Sequence, residues 1–199
     1  MGAFKELAVA CLILGLIIFL GVHSVRTVAD GWRTRTLAQV GEGRYKGIYT
    51  LLSLLGFALI IWGFWLARQT PTALWTPPTG MRHLAALLTW LAFVLLTAAY
   101  VPGNGIKARV HHPMVLGVKT WALAHLLANG NVAHLVLFGA FLAWSVFNFR
   151  SARQRDRVQG TTYAVGKTSA TVLTVVLGSV VWGVFAFWLH GLLIGIRPL

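Results

Sequence analysis

Long apolar stretches alternate with short polar connections along most of the chain. A helix needs roughly 20 apolar residues to cross about 30 Å of hydrocarbon. Stretches of about that length lie near residues 7–26, 47–67, 83–101, 131–149 and 169–194. The pattern predicts an all-α fold, a polytopic bundle of membrane helices.

A sixth apolar segment, near residues 113–128, is shorter than the others. Asn129-Gly130-Asn131 separates it from the stretch that follows, and such residues favour a tight turn over continued helix. We therefore predict about six transmembrane helices. The fourth is short and either spans the membrane or forms a re-entrant piece.

The composition agrees with a membrane-embedded chain. Hydrophobic residues make up 57% of the 199, and the mean hydropathy is +0.74. A net charge of +13 would suggest a nucleic-acid partner in a soluble protein, but no basic run is interleaved with exposed aromatic residues. In a membrane protein, basic residues gather in cytoplasmic loops and meet anionic headgroups. We expect a lipid bilayer as partner and no nucleic acid.

Basic residues also predict the orientation of the helices. With six spans, the first, third and fifth connections carry most of the Lys and Arg, and fusing 113–149 into one helix would remove this bias. We expect basic loops in the cytoplasm and both termini on the other side. The connections 27–46 and 150–168 have about 20 residues each, too few for a soluble core, so residues 1–199 are expected to form one transmembrane domain.

His23 is a candidate ligand late in the first span, on a helical face shared with Leu16, Phe19 and Leu20. A large flat apolar group would fit against this face. If His23 bound a haem iron, Arg26 could pair with a propionate one turn further on. From this residue alone, a histidine whose ring is satisfied by a hydroxyl or carbonyl of a neighbouring helix is the better explanation.

His125 lies on an apolar and aromatic strip of the fourth helix with Met114, Val118 and Trp121. His112 belongs to another face, because 13 residues at 100° each leave the two histidines some 140° apart. Both can hardly bind one metal from a straight helix. His112, before Pro113, reads as the residue that begins the helix, and it aligns with Lys119, which either snorkels to the interface or binds an anionic group.

Common enzyme classes find no support in the motifs. The acidic residues Glu6, Asp30, Glu42 and Asp156 all lie at or outside the predicted membrane boundaries. His-Glu-x-x-His and Gly-x-Ser-x-Gly are absent. Cys11 is the only cysteine, so haem could not be attached through Cys-x-x-Cys-His and would have to bind non-covalently.

Several short motifs stand out in the first three quarters of the chain: GVH at 21–23, YVPGNGIKAR at 100–109, HPM at 112–114, GVK at 117–119, WALAHLLANG at 121–130 and LFG at 137–139. With these motifs the chain resembles the NnrU family of bacterial inner-membrane proteins. The match extends from about residue 7 to 150, and the last 50 residues rest on hydropathy alone.

The resemblance implies a link to denitrification and nitric oxide metabolism, and a cofactor. NnrU proteins are similar to 15-cis-ζ-carotene isomerase, a plant membrane enzyme that contains haem b. Its two axial histidines match His23 and His125 here, and His112 occupies its His-Pro position. In the predicted topology His23 and His125 lie at different depths, so His23 with His112 is the alternative ligand pair.

These observations lead to a haem b protein of the inner membrane as the first hypothesis, with bis-histidine ligation. Arg26 and Lys119 would bind propionates, and Met114 and Trp121 would line the cofactor. Its substrate would be a small redox-active or apolar molecule, and redox-controlled isomerisation is one enzymatic version. An accessory factor for nitric oxide reductase maturation or expression, without haem, is the alternative. A small transporter ranks last, since paired intramembrane charges and repeats are missing.

Overall fold

The computed structural model describes residues 2–198, and within them the chain is helical apart from its connections. The helices are α1 (Gly2–Val28), α2 (Asp30–Val40), α3 (Glu42–Gln69), α4 (Met81–Tyr100), α5 (Gly105–Val110), α6 (Pro113–Ala128), α7 (Val132–Gln159), α8 (Thr168–Val184), a π-helical turn (Phe185–Leu189) and α9 (His190–Ile194). The all-α fold class predicted from the apolar pattern is confirmed.

Five helical runs are long and apolar enough to cross a membrane: α1, α3, α4, α7 and the continuous stretch Thr168–Ile194. α6 is the short apolar helix, with 16 residues. The chain therefore has five helices long enough to span a membrane and one short apolar helix, in agreement with a polytopic bundle of about six helices of which the fourth is short.

The turn between α6 and α7 forms where the sequence predicted it. Pro113 stands at the first position of α6, and His112 is its N-cap residue, because proline lacks the N–H that a helix start leaves unpaired. At the other end, the Asn129 amide donates to the His125 carbonyl at 2.9 Å. Asn131 begins α7 by accepting from the backbone N–H of His134 at 3.1 Å, the usual N-cap bond.

Two parts of the chain are more helical than expected. The connection 27–46 contains α2, and α7 continues ten residues past Phe149 to Gln159. Roughly 18 residues at 1.5 Å each already cover about 27 Å, so the apolar part of α7 ends at Phe149 and its basic extension lies outside the hydrocarbon. The predicted last span contains a π-helical turn within its continuous helix.

The chain forms two compact units. One comprises residues 1–75 and 131–144, and the other comprises residues 76–130 and 145–199. In the first unit α1 packs on α3, with Leu12, Leu16 and Ile60 fully covered. In the second, α4 packs against α6 and α8.

Glycine allows the backbones of α1 and α3 to come nearly into contact. A Cβ added to Gly15 would lie 2.6 Å from the Ile60 nitrogen, and one added to Gly56 would lie 2.7 Å from the Phe19 nitrogen. A Cβ on Gly63 would overlap the backbone of α1 at Leu12. Such close approach is how membrane helices associate, because lipid tails offer no hydrophobic driving force between them.

The Gly103-Asn104-Gly105 segment holds the second unit together at one end of α4. The Asn104 side chain is 2% exposed and donates to the carbonyls of Ala98 at 2.9 Å and Val101 at 2.6 Å. Its Oδ1 accepts from the Lys107 N–H at 2.8 Å and so caps α5. One side chain thus closes α4 and opens α5, a structural role that the motif alone did not reveal.

We expect Gly63→Ala to destabilise the first unit by about 1–3 kcal/mol, because the added methyl group would force the two backbones apart. Gly47→Ala is the matched control on the same helix, since nothing lies within 4 Å of its added Cβ; it should be neutral or stabilising by up to about 1 kcal/mol. Thermal unfolding in detergent, followed by circular dichroism, measures both. Equal effects would contradict the packing argument.

Asn104→Asp and Asn104→Ala separate the two functions of the Asn104 side chain. The aspartate keeps the oxygen that caps α5 but turns a second carboxylate oxygen toward the Ala98 and Val101 carbonyls, whereas alanine removes all three hydrogen bonds. We expect both variants to unfold at lower temperature than the wild type, with aspartate at least as destabilised as alanine, because a buried carboxylate would face two carbonyl oxygens. If alanine were as stable as the wild type, the loop would not depend on Asn104.

Candidate functional site

His23 is held in one ring orientation by its own helix. Its Nδ1 lies 2.6 Å from the Phe19 carbonyl oxygen, four residues earlier on α1. Because a carbonyl only accepts, Nδ1 must donate and carry the proton. In the neutral ring, the lone pair is therefore on Nε2, the nitrogen that can bind a metal.

Aromatic rings surround His23 within the first unit. Phe19 stacks on it with ring centroids 4.2 Å apart, Tyr49 of α3 lies at 5.3 Å, and Trp144 of α7 meets it edge-on at 6.5 Å. The sequence placed Phe19 on this face but could not supply Tyr49 or Trp144, because they come from other helices. In the sequence, Tyr49 and Trp144 are recognisable only as aromatic residues near the ends of predicted spans, which does not indicate contact with His23.

Trp144 carries an unusual buried polar atom. Its Nε1 is buried and has no hydrogen-bond acceptor within residues 2–198, a condition shared only with the Thr70 hydroxyl in that range. Indole nitrogen is a donor only, and buried donors in folded proteins are nearly always paired. The orphan N–H lies on the residue whose ring borders His23.

An apolar groove of about 330 Å³ runs beside this region in the first unit. Its lining includes Leu16, Leu20, Gly21 and Ser24 of α1, with Val136 and Ala140 of α7. His23 does not line the groove. The groove is open beside Gly21, since nothing lies within 4 Å of a Cβ added there.

His125, in the second unit, has the same internal arrangement as His23. Its Nδ1 lies 2.9 Å from the Trp121 carbonyl oxygen, four residues earlier on α6, so Nδ1 donates and Nε2 can act as the ligand atom. The Trp121 ring lies 5.1 Å from the imidazole. Met114, placed by sequence on the same strip, is 41% exposed.

His112 is engaged differently. Its Nε2 lies 2.8 Å from Oδ2 of Asp156 on the extension of α7, and a carboxylate accepts, so Nε2 donates. His112 could therefore bind a metal only through Nδ1, the nitrogen next to its own backbone. The bond to Asp156 therefore distinguishes His112 from His23 and His125, whose Nδ1 atoms are the donors.

Asp156 gathers a polar cluster that the sequence did not predict. The Tyr163 hydroxyl donates to Oδ2 at 3.1 Å, and nitrogens of His111 and Arg153 lie 3.7 Å away. His111 and Arg153 also contact each other. Within residues 2–198 no group of three or more His, Cys, Asp or Glu could hold a metal ion, so this is a charge cluster.

The cluster shifts two protonation equilibria. Burial of the Asp156 carboxyl acts to raise its pKa, but the hydrogen bonds from His112 and Tyr163, together with nearby positive charge, outweigh burial and lower the pKa. Burial raises the pKa of the Tyr163 hydroxyl, and the Asp156 carboxylate raises it further. At neutral pH the cluster is thus an ionised carboxylate with donors around it.

His111 adopts a backbone conformation that residues other than glycine rarely take. Its φ is 67° and ψ is −50°, and the His112 N–H donates across it to the Val110 carbonyl at 2.8 Å. This is a γ-turn with a positive φ, a strained geometry in which the surrounding contacts must hold the residue. The contacts of His111 with Asp156 and Arg153 supply that hold.

The two cations expected to bind propionates have no carboxylate partner within residues 2–198. Arg26 is exposed in the last turn of α1. Lys119 is half-buried on α6. An ammonium group at this depth without a carboxylate marks a position where an anionic group could bind.

One protein family matches nearly the whole length of this chain. The family described as NnrU protein matches residues 11–198. The chain belongs to the NnrU family. No curated protein and no solved structure matches it.

The NnrU match extends beyond residue 150, where the sequence resemblance ended, and so includes Asp156 and Tyr163. Several residues of the NnrU-like motifs have structural roles in the second unit. Asn104 joins α4 to α5, and Gly117 allows α6 to approach Ala92 of α4. His23 and His125 each donate Nδ1–H to a carbonyl of their own helix.

We expect Asp156→Asn to lower the unfolding free energy by about 1–2 kcal/mol at pH 7, since it weakens several charge-assisted contacts. Folding lowers the pKa of this carboxyl below its ordinary value of 3.8. Its contribution is therefore present above that value and is lost as the pH falls through the lower folded value. Thermal unfolding of wild type and variant should converge at acidic pH.

Asp30→Asn is the matched control for Asp156→Asn. Asp30 lies 3.7 Å from Arg33, but its side chain is 54% exposed, and exposed pairs contribute under about 1 kcal/mol. A loss as large in Asp30→Asn as in Asp156→Asn, or a difference that persists unchanged at acidic pH, would contradict the role given to the cluster.

Proposed function

We propose that this NnrU protein binds haem b non-covalently, with His23 and His125 as axial ligands. The observation that carries the proposal is the shared geometry of the two histidines. Each donates Nδ1–H to the carbonyl four residues earlier on its own helix. Metal-binding histidines almost always donate their second nitrogen in this way, because the bond fixes the tautomer and orients the ring.

The surroundings of both histidines suit a porphyrin. His23 lies among Phe19, Tyr49 and Trp144, and His125 lies beside Trp121. Haem pockets are mostly apolar, with a few polar groups that fix orientation. We assign Arg26 and Lys119, neither of which has a carboxylate partner within residues 2–198, to the propionates.

Haem would supply one-electron chemistry or a site for a small diatomic ligand, both of which depend on the axial ligands and on the polarity around them. The residues of this chain would hold the group, set its orientation through the two Nδ1 bonds and exclude water. By family, we propose a role in nitric oxide and denitrification metabolism or in redox-controlled isomerisation. The location would be the bacterial inner membrane, with the basic loops in the cytoplasm.

The experiment is absorption spectroscopy of purified protein after haem-replete expression. We expect a Soret band in the wild type and loss of most of it in His23→Ala and His125→Ala. His112→Ala should keep the band, because its Nε2 is bonded to Asp156. Circular dichroism shows whether each variant is folded. A folded wild type without a Soret band would remove the proposal, and loss in His112→Ala alone would reassign the ligand.

A further inference from the structure

The Trp144 indole distinguishes itself from two other tryptophans of the chain by its hydrogen bonding. Trp90 donates Nε1–H to the Ser179 hydroxyl at 2.9 Å, and Trp182 donates to the Thr89 hydroxyl at 3.2 Å. The Trp144 N–H is buried and has no acceptor within residues 2–198. The structure thus leaves a buried donor for which a bound group, seated with a shift of the surrounding side chains, would supply the acceptor.

The location of Trp144 indicates where a bound group that accepts from its N–H would lie. Its ring meets the His23 imidazole edge-on, with centroids 6.5 Å apart and planes at 84°. It belongs to the apolar part of α7, before Phe149. A neutral donor is cheaper to place at that depth than a charged one. A group bound at His23 would therefore lie near the residue that carries this N–H.

Carboxylates of the protein are not available to Trp144. In the first unit Asp30 pairs with Arg33 and Glu42 pairs with Lys46, both around the exposed α2 region. Glu6 lies in the first turns of α1, more than four turns of helix before His23. The acceptor that best fits a donor-only indole is an anionic oxygen, because such bonds are about twice as strong as neutral ones.

We propose that Trp144 Nε1–H donates a hydrogen bond to a propionate oxygen of the haem bound at His23, and so sets the orientation of the porphyrin. This inference rests on the proposed function. It adds to the two proposed cations, Arg26 and Lys119, a haem-binding residue that is uncharged and belongs to α7. Trp144 is a positioning residue for the cofactor.

The test compares Trp144→Phe with wild type in haem titrations of the apo protein, followed at the Soret band. Phenylalanine keeps an aromatic ring and removes the donor. Haem b and haem b dimethyl ester are the two probes, since the ester lacks the anionic oxygens. Losing a bond to a charged group should weaken haem b binding about tenfold or more, whereas the ester should lose only about threefold.

Trp90→Phe is the matched control, because it removes the same atoms from a tryptophan whose N–H is bonded within the second unit. It should leave the affinity for both porphyrins unchanged and lower the unfolding temperature of the apo protein. Apo Trp144→Phe should lose less stability than Trp90→Phe, since it also removes an unpaired buried donor.

The outcomes separate this inference from the proposed function. Equal weakening of haem b and its ester would show that Trp144 acts by packing, and no weakening would show that it does not contact the cofactor; either result overturns the inference while haem binding stands. Apo Trp144→Phe as unstable as Trp90→Phe would show that the indole N–H is bonded within the protein, which overturns it too. A wild type that binds neither porphyrin overturns both.

Discussion

Close contact between helix backbones is the constraint on which each unit depends. Inside a bilayer the hydrophobic effect does not press helices together, so van der Waals contact at small residues has to hold them. Gly15, Gly56 and Gly63 bring α1 against α3 in the first unit. In the second, Gly117 and Gly178 bring α6 and α8 against α4. The candidate functional side chains therefore lie on helices whose packing depends on glycine.

The bilayer also constrains the polar side chains of the helices, because it offers them no water to bond with. Hydroxyl groups of Ser24, Ser53, Thr97, Thr120 and Thr174 donate to the carbonyl four residues earlier on their own helix, which satisfies them without a partner helix. The two histidines do the same with Nδ1. For a hydroxyl this bond uses its only proton, but for an imidazole it leaves a second nitrogen, and that difference turns a routine membrane bond into a potential ligand site.

Sequence patterns predicted the helices well because a bilayer imposes a length and a hydrophobicity that can be read residue by residue. Pro113 and Asn129-Gly130-Asn131 marked the ends of α6 for the same local reason. Tyr49, Trp144 and Asp156 could not be predicted as neighbours of His23 or His112, because their proximity depends on how helices pack. The α7 extension was missed because a basic, apolar-poor segment reads equally well as a loop.

Asp156 also has a consequence for how the protein is inserted. It is the only acidic residue in the second unit, which otherwise carries Lys and Arg alone. The translocation machinery reads lysine and arginine near helix ends and responds little to carboxylates. At this end of α7, insertion therefore depends on the basic residues, Arg153 among them, whereas the polar cluster also requires the Asp156 carboxylate. Natural variation could remodel the cluster without inverting the protein in its membrane.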